Sequence, residues 1–102
     1  MSVNTIRILY WNARSILQRK NELFDLLREV DIFICVESWL KSKDQFKVTG
    51  FNVIRQGRLN SRGGGILFLI RKALSFVLLK NISILNNKFE LAGVRITNTA
   101  EY

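Results

Sequence analysis

The sequence predicts an α/β fold in which one βαβ unit is followed by antiparallel strands. Three observations predict it. Two short apolar runs flank an amphipathic stretch within ~30 residues, the size of a parallel crossover unit. The second half holds three runs rich in Ile, Leu, Phe and Val, separated by polar or Asn-rich turns. The chain contains no proline and no low-complexity tract that would mark a linker. Its 102 residues leave room for a single domain, spanning 1–102.

Each element follows from local pattern. Residues 6–11 are mostly β-branched, aromatic or aliphatic, which suits a buried strand. Ser15, with Gln18 three residues on, offers a helix cap. Leu23, Phe24, Leu26, Leu27 and Val30 then recur at helical spacing among charged residues. Residues 32–36 are a continuous apolar run of strand length, closed by Glu37. A short strand over 51–55 leads through a polar loop to Gly63, Gly64 and Gly65. Residues 65–71, 76–84 and 89–97 read as the strands of an antiparallel meander. The glycines open a strand and not a helix, so their expected use is close backbone approach and not phosphate cradling. Several of these strands are apolar on both faces. Each sheet face therefore needs a covering layer, and one helix cannot supply both.

Composition narrows the chemistry. With 48% hydrophobic and 24% charged residues the chain wants a core. Its apolar runs fall far short of the ~20 residues a membrane helix requires. The first dozen residues lack the basic-then-apolar pattern of a secretory signal, so the chain is expected to stay inside the cell. Cys35 is the one cysteine and there is no histidine, which excludes a disulfide, a Cys/His zinc site and Ser-His-Asp chemistry within the chain. Cys35 itself lies in an apolar run and is expected to be a buried small hydrophobe. The net charge of +8 suits a polyanionic partner. It is uneven: residues 55–102 carry eight Lys/Arg against two Asp/Glu, and residues 1–54 carry eight against six.

In a parallel βαβ unit the carboxyl ends of both strands lie together, where ligands of open α/β sheets gather. Asn12 and Glu37 follow those two ends. Strands ~4.8 Å apart would let an amide and a carboxylate converge, a pairing that suits Mg²⁺ with its preference for few carboxylates plus water and phosphate. An Asn after a strand also commonly makes a turn, and a Glu there is often only solvated. Spacing alone leaves both readings open.

The stretch Tyr10, Trp11, Asn12, Ala13, Arg14, Ser15, followed by Glu37, Ser38, Trp39, Leu40 and then Gly63, Gly64, Gly65, Ile66, resembles the opening of the endonuclease/exonuclease/phosphatase superfamily. The version it is most similar to in wording is the apurinic-type endonuclease domain of jockey-like non-LTR retrotransposons. There a W-N-x-R-S motif leads into the first helix, E-[ST]-W-L ends the next strand, and a G-G-G strand follows. The resemblance implies about half of a two-sheet α/β sandwich and a Mg²⁺-dependent DNA endonuclease hydrolysing phosphodiesters. Glu37 would ligate the ion, and Asn12 would sit at the ion and contact the scissile phosphate or organise the attacking water. Arg14, Arg58 and Arg62 are weaker candidates for phosphate contact, and Trp11 and Trp39 are expected to pack in the core. The resemblance further implies a nuclear setting, with the remainder of the domain and a reverse transcriptase as partners. The family's later Y-R-x-P, D-x-N and S-D-H motifs have no counterpart here, so the chain is expected to be the N-terminal part of the domain and inactive alone. The rival expectation is a small basic nucleic-acid-binding module without catalysis.

Overall fold

The computed structural model describes residues 5–56, 63–79, 84–85 and 90–97. Strand β1 (Ile8–Asn12) leads through a 3₁₀ turn (Ile16–Arg19) into helix α1 (Lys20–Leu26), which tightens into a second 3₁₀ turn (Leu27–Glu29) before β2 (Ile32–Val36). Then come β3 (Phe51–Gln56), β4 (Ile66–Arg71), β5 (Phe76–Leu78), β6 (Ile84–Leu85), β7 (Glu90–Leu91) and β8 (Val94–Ile96). The expected βαβ unit is present: β1 and β2 pair in parallel, with Ile8 opposite Ile32 and Asn12 opposite Val36. A mixed four-stranded sheet of order β1-β2-β4-β3 results, with β4 antiparallel to both its neighbours.

The second half is not a meander. Both edges of β4 are already taken by β2 and β3, so β5 cannot pair with β4 and pairs with β8 instead, while β6 pairs with β7. These two antiparallel pairs form a hairpin separate from the main sheet. The helix start also differs from expectation. Ser15 makes no side-chain cap; it is buried with φ 84°, and its backbone N–H donates to the Glu37 carbonyl at 2.9 Å.

Alternation along the strands divides the core. Phe33, Cys35, Leu67 and Leu69 point to the helix side, where they meet Ile16, Leu23, Leu27 and the loop residues Leu40 and Phe46. Full burial of a side chain such as Phe33 stabilises by roughly 1.5–3 kcal/mol. Ile32, Phe68 and Ile70 point the other way and pack with Phe76, Val94 and Ile96 of the hairpin. That second face is only partly covered. Ile8 and Tyr10 are each 61% exposed, and an open apolar groove of about 400 Å³ runs between the sheet and the hairpin. Among the described residues no helix is long and apolar enough to cross a membrane.

Candidate functional site

Asn12 ends β1 directly opposite Val36, and Glu37 is the next residue after Val36. The two expected site residues therefore stand at adjacent strand ends. Asn12 is exposed and Glu37 half-buried. Beyond the strands the two chains stay laced together: Ala13 N–H donates to Val36 at 3.1 Å, Ser15 to Glu37 at 2.9 Å and Ile16 to Ser38 at 3.0 Å. A third segment joins them because β2 runs antiparallel to β4, which brings the residues before β4 to the carboxyl end of β2. Ser38 N–H donates to the Gly65 carbonyl at 3.2 Å, and Trp39 N–H to that of Gly64 at 2.9 Å. The glycine run thus makes the close backbone approach expected of it.

Backbone geometry singles out the same place. Among the described residues, the non-glycine positions with positive φ are Arg14 (51°), Ser15 (84°), Glu37 (55°) and Trp39 (58°). All lie in the two loops that follow β1 and β2. Left-handed backbone is unfavourable for side-chain-bearing residues and persists where surrounding bonds over-determine it, often at functional sites. Here the inter-loop hydrogen bonds do so.

Two features were not anticipated from sequence. Trp39 was expected in the core, yet it is 41% exposed, because its left-handed φ turns it out of the strand alternation. Its indole Nε1–H donates to Glu37 Oε1 at 3.1 Å. Arg19 Nε–H donates to the Ala13 carbonyl at 3.0 Å, tying the first 3₁₀ turn to the Asn12 loop. The only signal for either was proximity in sequence to the candidate motifs. Arg14 is exposed in the first loop, whereas Arg58 and Arg62 lie outside the described residues.

The donor set suits a hard divalent cation held loosely. A carboxylate offers about four lone-pair sites, so Glu37 retains acceptor capacity beside its bond to Trp39. Mg²⁺ asks for one or two carboxylates and leaves other positions to water and phosphate. Among the described residues no group of three or more His, Cys, Asp and Glu clusters together, so a closed all-protein cage is not formed there. Cys35 adds nothing to such chemistry: burial pushes its thiol up to about 11, partly offset by the backbone of Ala13, and a protonated thiol is neither ligand nor nucleophile. No family model, no curated protein and no solved structure matches the chain.

Proposed function

We propose that this chain carries the N-terminal part of a Mg²⁺-dependent DNA endonuclease of the endonuclease/exonuclease/phosphatase type, similar to the jockey-like retrotransposon enzymes. The observation that carries this reading is the meeting of three motifs at one end of the sheet. The segments around Asn12, Glu37 and Gly64, as many as about fifty residues apart in sequence, are joined by the hydrogen bonds that link their loops. In this reading Glu37 holds the ion. Asn12 donates its amide N–H to a phosphoryl oxygen without adding negative charge, and Arg14 supports the phosphate. The ion, when bound, supplies stabilisation of the charge that develops on the phosphoryl oxygen. The partly bare sheet face fits one half of a two-sheet sandwich.

The sequence has no histidine and no D-x-N or S-D-H segment, so the groups that activate water in the family are missing from it. The chain alone is expected to bind Mg²⁺ weakly and not to nick DNA. Supercoiled plasmid nicking with titrated Mg²⁺ tests this for the chain, for Glu37→Ala, and for a fusion supplying the later motifs. Only the fusion should cut, and Glu37→Ala should abolish its cutting. Robust Mg²⁺-dependent nicking by the chain itself would overturn its inactivity. If the fusion is also silent while the chain binds DNA in a salt-sensitive way indifferent to Asn12→Ala and Glu37→Ala, the basic binding module is the better reading. The concentration of positive charge in residues 55–102 favours that alternative.

A further inference from the structure

We infer that Trp39 is a positioning residue for the Glu37 carboxylate, resting on the reading of Glu37 as the ion's ligand. The indole is a donor-only group, and it gives its hydrogen to Oε1 at 3.1 Å. The bond fixes one carboxylate oxygen and thereby the orientation of the whole group, as an outer-shell donor does for a ligating carboxylate. The indole is itself held in place. Its backbone N–H is bonded to the Gly64 carbonyl at 2.9 Å, and Gly63 lies against its edge, since a Cβ there would stand 3.6 Å from Nε1. The left-handed φ of both Glu37 and Trp39, with Ser38 buried between them, brings two side chains two residues apart to the same side. In an extended strand residues two apart share a face roughly 6–7 Å apart, whereas here a turn and not a strand sets their approach. The glycine run, the left-handed pair and the indole together form one device that sets the carboxylate.

Two measurements test it. In ¹H–¹⁵N spectra the Trp39 indole cross-peak, assigned by its loss in Trp39→Phe, should move in Glu37→Gln, where its charged acceptor is replaced by a neutral one. The Trp11 cross-peak should not follow. Mn²⁺ binding, followed by the paramagnetic resonance of the free ion, should weaken roughly tenfold in Trp39→Phe, the size expected for an outer-shell partner. In a Glu37→Gln background the same substitution should change nothing, because the indole acts only through that carboxylate. An indole cross-peak indifferent to Glu37, or wild-type Mn²⁺ affinity in Trp39→Phe, overturns the inference. Equal Mn²⁺ binding by wild type and Glu37→Gln overturns the ion-ligand reading and the positioning role with it. That outcome is distinguishable, because the cross-peak would still move in Glu37→Gln.

Discussion

A Cβ on Gly65 would stand 2.5 Å from Ser38 Oγ, and the φ of 95° disfavours any side chain there. Gly65→Ala should therefore destabilise by about 2–4 kcal/mol, combining left-handed strain with overpacking against a buried serine. Urea unfolding would read this, and a loss below about 1 kcal/mol would mean the loop shifts freely. Cys35 makes a second prediction at this scale. Its thiol sits at about 11 in the folded chain against 9.0 ordinarily, because burial disfavours the thiolate. As pH rises, the unfolded chain loses this proton first. The contribution to stability is thus complete below about 9 and is lost between 9.0 and about 11. Denaturation midpoints should fall across that window, and Cys35→Ala should flatten the fall. Asn12 and Glu37 were legible in the sequence because strand ends in a βαβ unit are predictable from apolar runs. Trp39 was not, since strand alternation says nothing about a residue whose φ leaves the β region.

Helix α1 and its flanking turns show what element-level pattern reads and what it misses. Of the five apolar residues at helical spacing, Leu23, Leu27 and Val30 are buried while Phe24 is 50% and Leu26 38% exposed. The segment is α-helical for only seven residues and tightens to 3₁₀ at both ends, so a 3.6-residue period does not hold along its length. What secures its end comes from far away. Arg71, at the end of β4, donates to the carbonyls of Leu27 at 3.2 Å and of Val30, pairs with Asp31 Oδ1 at 3.2 Å, and lies 4.7 Å over the Phe51 ring. One guanidinium thus joins the helix exit, β2, β3 and β4. Sequence reading could not find it, because its hydrogen-bond partners are about forty residues distant. Arg71→Ala should cost about 2–3 kcal/mol by taking the cation from the mostly buried Asp31 carboxylate, which keeps its bond from the Arg7 backbone N–H, and by removing the side-chain donor to the Val30 carbonyl. Arg71→Lys should recover only part of this, since a point charge cannot serve three acceptors in a plane. Full recovery by lysine, measured in the same unfolding experiment, would show that charge alone matters.

At the scale of the whole molecule, the expectation that one helix cannot cover both sheet faces was sound, while the order β1-β2-β4-β3 and the detached hairpin were beyond what periodicity encodes. Pairing depends on which edges remain open once β4 is placed, and that is a property of the assembled sheet. The hairpin covers β2 and β4 but leaves β1 bare on that side, where Ile8 and Tyr10 stand out while Leu9 and Trp11 pack towards the helix. Lysine is therefore expected to be tolerated at Ile8 and Tyr10, within about 0.5 kcal/mol as for ordinary surface positions. Leu9→Lys, one residue away on the packed face, should cost several times more, on the order of 2–3 kcal/mol, by carrying a charge into the core edge. Should the proposed second sheet be supplied by the fusion used for nicking, the tolerance must disappear. Ile8→Lys and Tyr10→Lys would then cost about 2–5 kcal/mol, the range for losing a buried large side chain. Unchanged tolerance in the fusion would mean that nothing packs on this face, and the two-sheet sandwich would fall even if Glu37 still bound a metal ion.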